Sequence, residues 1–115
     1  MTLLGEFLYN LFMSRVEVSP YDAYKEFKRA LEEGYEPVGR EYRRPSRASY
    51  RNVRRYFAWY RKLGLIEFSR EEPSSREGLK PKRYYRITEK GRMRPDLWAN
   101  PMEAIYGESW RARKH

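Results

Sequence analysis

The 115-residue sequence contains no cysteine and no glutamine, and its single histidine is the last residue, His115. Without cysteine there can be no disulfide framework, no thiolate nucleophile and no cysteine-ligated metal centre. A histidine at a chain end is a poor general base, because terminal residues are rarely held in a fixed position. No glycine-rich phosphate loop or metal-ligand cluster stands out either. We therefore expect no enzymatic activity, no metal site and no cofactor.

The sequence also lacks long apolar runs. No stretch approaches the roughly 20 apolar residues that span a bilayer, and residues 2–13 lack the basic start and the cleavage site of a signal peptide. These absences predict a cytoplasmic protein without membrane contact. The lack of glutamine, with 18 arginines among the 25 basic residues, favours a thermophilic source, because such proteins avoid thermolabile amides and form ion-pair networks.

Positive charge is present in excess, and it is concentrated in one part of the chain. The formal net charge is +9, and residues 40–63 carry nine positive side chains but a single negative one, Glu41. A solvated ion-pair surface would need carboxylates between the bases. Heat adaptation alone would explain the total charge but not its position, so we expect this segment to bind an anionic partner.

Three helices are predicted before residue 64. Apolar residues at helical spacing predict a first helix over residues 2–14, which serves as a core or dimer helix. Ser19 and Pro20 begin a second helix over about 20–33. Ser46 is the expected N-cap of a third helix over residues 47–63, which stops at the glycine that follows. A loop over residues 34–45 joins the second and third helices.

Alternating side chains predict a small sheet. Residues 16–18 are predicted to form a three-residue strand, and residues 65–70 and 83–88 are predicted to form the two strands of a hairpin. The polar connection over residues 71–82 is too long for a two-residue turn. We therefore expect the hairpin to carry a protruding loop.

The C-terminal part is predicted to form one more helix. The helical segment covers about residues 97–106. Within it, Asn100 and Pro101 open a short helix that turns Met102, Ile105 and Tyr106 inward. Residues 107–115 are expected to form a basic tail outside a single domain over residues 1–106.

The third helix is predicted to be two-sided. Val53, Phe57 and Tyr60 fall on one side of a helical projection, and six basic residues fall on the other. An ordinary solvated surface is the alternative, although six like charges would repel one another. The basic side fits the major groove of DNA, and such helices read bases with their N-terminal half. The positions expected to contact nucleic acid are Arg47, Ser49, Tyr50, Arg51, Arg54 and Arg55, whereas Arg61 and Lys62 are expected to complement the helix dipole.

Three stretches of the sequence belong together: residues 49–56 (SYRNVRRY), 63–67 (LGLIE) and 83–91 (RYYRITEKG). In this order they resemble a winged helix-turn-helix domain of archaeal and bacterial DNA-binding regulators. The resemblance implies an α+β, mostly α fold, with a three-helix core, a short β-sheet bearing a wing, and a C-terminal helix. It places the helix-turn-helix at about 20–63 and the wing at about 65–88.

The resemblance implies a nucleoid-associated, double-stranded DNA-binding transcriptional regulator of archaeal, bacterial or archaeal-virus type. Helix 47–63 would enter the major groove, and the 71–82 wing would touch the backbone or the minor groove. The implied wing contacts are Arg76, Lys80 and Lys82.

The loop between the second and third helices exceeds the usual turn of about three or four residues. Either it adds Arg40, Arg43 and Arg44 as phosphate contacts or the docking differs from the usual mode. A homodimer through helix 2–14 and/or the C-terminal segment is expected. An RNA-binding or ribosome-associated protein and a winged-helix protein–protein interaction module remain as alternatives.

Overall fold

The computed structural model describes residues 3–34, 49–73 and 80–113, without the side chains of residues 108–113. Within these ranges the chain forms six helices and one antiparallel hairpin. The elements are α1 (Leu3–Ser14), α2 (Pro20–Glu32), α3 (Tyr50–Lys62), β1 (Ile66–Glu72), β2 (Lys82–Ile87), α4 (Glu89–Met93), α5 (Pro95–Ala99) and α6 (Pro101–Arg113).

Helix α2 begins where its start signal predicts. The Ser19 hydroxyl accepts a hydrogen bond from the Asp22 backbone N–H at 3.1 Å, and Pro20 occupies the first helical position. Gly34 follows the helix with φ +81°, a left-handed conformation that glycine adopts without steric cost. The predicted second helix is confirmed at both ends.

Helix α3 starts later than predicted. Its N-cap is Ser49, whose hydroxyl accepts from the Asn52 backbone N–H at 3.3 Å, so the expectation of a cap at Ser46 is wrong. Two serines three residues apart offer the same capping chemistry, and the sequence alone does not distinguish them. The predicted stop is confirmed, because Gly64 adopts φ +77° directly after the C-cap.

The hairpin pairs Ile66 with Ile87 and Phe68 with Tyr85, which confirms the two predicted strands and their pairing. A bulge at Ser69 shifts the register between Phe68 and Arg70. Both strands reach further into the predicted loop than expected, to residues 72 and 82. Opposite charges at facing positions, such as Glu71 and Arg83, stabilise this polar extension.

The strand predicted over residues 16–18 is reduced to a single bridge. Val18 and Tyr85 exchange two backbone hydrogen bonds of 2.8 and 2.9 Å, which attach the start of α2 to β2. Val16 is 87% exposed and does not continue the pairing.

The core lies between α1, α2, α3 and α5. Helix α1 contributes its leucines and Phe12, α2 contributes Phe27, and α3 contributes the predicted stripe of Val53, Phe57 and Tyr60. Trp98 of α5 is fully buried, with its ring centre 4.3 Å from that of Tyr60. The apolar side of α1 is therefore used inside the domain.

The C-terminal segment differs from the single predicted helix. The predicted helix start at Pro101 is confirmed as the start of α6, but two further short helices, α4 and α5, precede it, and residues 97–99 belong to α5. Ile105 is half-buried, but Met102 and Tyr106 are 46% and 63% exposed, so the prediction that they face inward is wrong. The α6 backbone continues to Arg113 rather than ending near residue 106.

A glycine in α4 allows the C-terminal segment to pack closely. A Cβ added at Gly91 would lie 2.2 Å from the Leu65 carbonyl oxygen. We expect Gly91→Ala to lower the free energy of unfolding by about 1 to 3 kcal/mol, because backbone must move to admit the methyl group. Chemical denaturation measures this loss.

Gly107 of α6 is the matched control, because nothing lies within 4 Å of a Cβ added there. Gly107→Ala should raise stability by about 0.5 to 1 kcal/mol through helix propensity. Equal effects of the two substitutions would contradict the close packing at Gly91.

Candidate nucleic-acid interface

Helix α3 separates a buried side from a charged side. Val53, Phe57 and Tyr60 are at most 2% exposed. On the other side, basic residues three and four positions before and after Ala58 share one exposed surface with it. We call this surface the basic face; it consists of Arg51, Arg54, Arg55, Ala58, Arg61 and Lys62.

The basic face has no carboxylate partner among the described residues. Helix α3 contains five basic residues and no acidic one. The seven ion pairs within the described ranges all lie elsewhere. In the two strands, by contrast, every basic residue contacts a carboxylate; these residues are Arg70, Lys82, Arg83 and Arg86. Positive charge is therefore left uncompensated on α3, whereas it is paired in the two strands.

Aromatic rings hold three of these arginines in place. The guanidinium carbons of Arg54, Arg55 and Arg61 lie 5.8, 5.4 and 5.2 Å from the ring centres of Tyr50, Trp59 and Tyr85, respectively. A planar cation stacks favourably on a ring without losing its charge. The rings thus restrict the arginines and leave their hydrogen-bond donors available.

An open groove runs between α3, the start of α2 and the hairpin, with a volume of about 1170 Å³. Arg54 and Arg61 line its helix side, and Lys80 and Lys82 line its hairpin side. Tyr21 stands at the α2 end, where its ring meets that of Tyr50 edge-on with centres 6.0 Å apart. One helix face and one hairpin edge thus form a single concave surface.

The hairpin side of the groove is largely neutralised. Lys82 Nζ lies 2.8 Å from Asp22 Oδ1, and this hydrogen bond raises the pKa of Lys82. Arg83 faces Glu71, and Glu72 contacts Arg70. Lys80 is exposed, and no carboxylate of the described ranges contacts it. Most of the positive field in the groove therefore comes from α3.

The residues predicted to contact nucleic acid are not all brought together. Tyr50, Arg51, Arg54 and Arg55 share the exposed side of α3, and Ser49 caps that helix. Lys80 and Lys82 line the same groove, although Lys82 is paired with an acidic residue. Arg40, Arg43, Arg44, Arg47 and Arg76 lie outside the described residues.

Arg61, Ala58 and Tyr21 are among the groove residues that were not predicted to belong to the site. Arg61, expected only to complement the helix dipole, lines the groove seven residues after Arg54. That spacing of two turns was the available signal. Ala58 was unremarked because it carries no charge, and Tyr21 because its position depends on how α2 packs against α3.

We also searched the described ranges for a metal site and for a membrane-spanning helix. They contain no group of three or more acidic or histidine side chains placed to hold a metal ion. Nor do they contain a helix with the length and apolar character needed to cross a membrane.

The uncompensated charge generates a stability prediction. Ala58 is exposed and lies within one turn of four basic residues. A carboxylate there would relieve their repulsion, so Ala58→Glu should be more stable than Ala58→Gln by about 0.5 kcal/mol or more at low salt. Thermal unfolding of both variants measures the difference, which should shrink as salt screens the charges. Equal stabilities at low salt would show that the basic face is already neutralised.

Comparisons with known proteins give the fold but no family. No family model matches the sequence, and no curated protein matches it either. Among solved structures, the chain is similar to a PadR-like transcriptional regulator from Bacillus cereus, with 18% sequence identity and a TM-score of 0.52. The match covers 98% of this chain and 92% of that chain. The resemblance inferred from the sequence is thereby confirmed at the level of architecture: the chain has the α+β winged-helix fold.

Proposed function

We propose that this protein binds double-stranded DNA as a transcriptional regulator and that the basic face of α3 enters the major groove. One observation carries the proposal. Five bases stand together on an exposed helix surface without a carboxylate partner among the described residues, while every basic residue of the two strands is paired. Such an arrangement is costly in a free protein and favourable against a row of phosphates.

The dimensions of α3 support this docking. Its 13 residues extend for about 20 Å. The major groove is about 12 Å wide, which is enough to admit an α-helix. The N-terminal half of the helix, with Arg51, Arg54 and Arg55, would meet base edges and nearby phosphates. The helix remains attached to the core through its opposite side while it does so.

The hairpin would act as a secondary contact. Lys80 stands at the edge of the groove and would reach the backbone or the minor groove. Lys82 would do so only by leaving Asp22, which makes it a weaker candidate than the sequence suggested. The structural neighbour is described as a transcriptional regulator, which agrees with this assignment.

We also propose that the protein forms a homodimer through its C-terminal helix. The sequence offered α1 and the C-terminal segment as candidate surfaces, but Leu8 and Phe12 of α1 are fully buried in the core. Met102 and Tyr106 of α6 instead leave apolar side chains exposed. A two-fold dimer would bury this surface and present two copies of α3 to a pseudo-palindromic site.

The first test is titration of a labelled random-sequence DNA duplex by fluorescence anisotropy over a range of salt concentrations. Native protein should lose affinity steeply with salt, because binding releases counterions from the phosphates. Arg51→Ala/Arg54→Ala should weaken binding and reduce the salt slope by about one unit for each phosphate contact removed.

The matched control is Lys28→Ala/Arg29→Ala, which removes the same charge from exposed positions of α2. It should leave the salt slope near that of native protein. If both double variants bind alike, α3 is not the contact surface. If structured RNA displaces the duplex more effectively than DNA does, the RNA-binding alternative replaces the proposal.

The dimer is tested by sedimentation equilibrium at micromolar concentrations. Native protein should sediment as a dimer, and Tyr106→Glu should shift it toward monomer by placing a charge in the interface. Val16→Glu introduces the same charge at a residue that is 87% exposed outside α6, and it should leave the dimer intact. A native monomer at these concentrations would remove the dimer from the proposal.

A further inference from the structure

The basic face offers hydrogen-bond donors and no acceptor. Its polar groups are four guanidinium groups and one ammonium group, and neither type can accept a hydrogen bond. All five lie within about 60° of Ala58 on a helical projection. The nearest side chains of α3 with an acceptor, Tyr50 and Asn52, lie about 80° and about 120° from it. The centre of the surface can therefore pair only with acceptors.

The base pairs present different groups in the major groove. Guanine presents two adjacent acceptors, N7 and O6, whereas adenine and cytosine each present an amino donor. A guanidinium fork matches the two guanine acceptors with parallel hydrogen bonds. Each base pair carries one amino donor, on adenine or on cytosine, so this donor does not separate the two kinds of pair. Adenine has its acceptor beside that donor and thymine presents the single acceptor O4, so guanine is the base on which both hydrogen bonds of a guanidinium fork are made.

Two features of the geometry favour base contacts in addition to phosphate contacts. Ala58 occupies the centre of the basic face with a single methyl group, so the helix backbone can approach the floor of the DNA major groove at that point. Arg54 and Arg55 lie over Tyr50 and Trp59, so their guanidinium planes lose less conformational freedom when they bind. A helix that approaches closely with restricted arginines can reach base edges.

We infer that the basic face of α3 reads guanine in the major groove, with Arg51, Arg54 and Arg55 as the specificity-determining residues. The inference rests on the proposed function, because it assumes that α3 meets duplex DNA. It adds a base preference to that function. Arg61 and Lys62, at the C-terminal end of the helix, are then left for phosphates.

The experiment compares three duplexes of equal length and charge. The first has alternating dG and dC, the second is the same duplex with every guanine replaced by 7-deazaguanine, and the third has alternating dA and dT. The 7-deaza base keeps Watson–Crick pairing and all phosphates but lacks the N7 acceptor. We expect the guanine duplex to bind about five-fold to 150-fold more tightly than the 7-deaza duplex. The salt slopes of the two should be equal, because the phosphate contacts are the same.

A charge-preserving variant identifies the residues responsible. Arg51→Lys/Arg54→Lys/Arg55→Lys retains three positive charges but lacks the planar fork. It should keep the salt slope and lose most of the preference for guanine over 7-deazaguanine. Arg29→Lys/Arg92→Lys, at exposed positions outside the groove lining, should keep both.

The possible failures are distinguishable. Equal affinities for the guanine and 7-deaza duplexes, with a steep salt slope, would overturn the guanine preference and leave DNA binding intact. Tighter binding of the dA–dT duplex would overturn it in the same way. The absence of salt-dependent binding to any duplex would overturn both the proposed function and the inference.

Discussion

The contact between Trp98 and Tyr60 determines how the charged helix is held in the domain. The two rings pack with centres 4.3 Å apart, and the Tyr60 hydroxyl donates a hydrogen bond to the Trp98 carbonyl at 3.0 Å. Burial raises the pKa of the Tyr60 hydroxyl well above its usual range, so it remains a protonated donor. The indole N–H in turn donates to the Gly91 carbonyl at 2.9 Å. The back of α3 is thus joined to the C-terminal segment, and the opposite side of the helix is left facing solvent.

The distribution of ion pairs separates two explanations of the positive charge. Heat adaptation would pair bases with carboxylates, and the hairpin follows that pattern: Arg86 contacts Glu67, and Arg70 contacts Glu17 and Glu72. Helix α3 departs from it, because three of its five bases contact aromatic rings and none contacts a carboxylate of the described ranges. Stability could be improved there by one acidic residue. Under the proposed function, α3 lacks this acidic residue because its basic face must meet an anion.

Sequence patterns predicted the features of the fold that depend on residues close together in the chain. Periodicity identified the two sides of α3, and alternation identified the facing rows of the hairpin, because both follow from backbone geometry alone. The start of α3 was ambiguous, because Ser46 and Ser49 carry the same capping chemistry. The pairing of Lys82 with Asp22 spans 60 positions and depends on how α2 packs against β2. The orientation of Met102 and Tyr106 likewise depends on tertiary contacts that periodicity in a short segment does not encode.

The attachment of the hairpin determines how a salt titration of DNA binding is to be interpreted. Lys82–Asp22 and Arg70–Glu17 join the hairpin to the start of α2, but their side chains are between 22% and 49% exposed, so salt screens these pairs and each contributes little. The two backbone hydrogen bonds between Val18 and Tyr85 make the same connection without charge, and both residues are buried. Because Tyr85 also packs against Phe57 of α3, the hairpin and the basic face should keep their relative position as salt rises. A loss of affinity with salt would then report lost phosphate contacts rather than a rearranged groove.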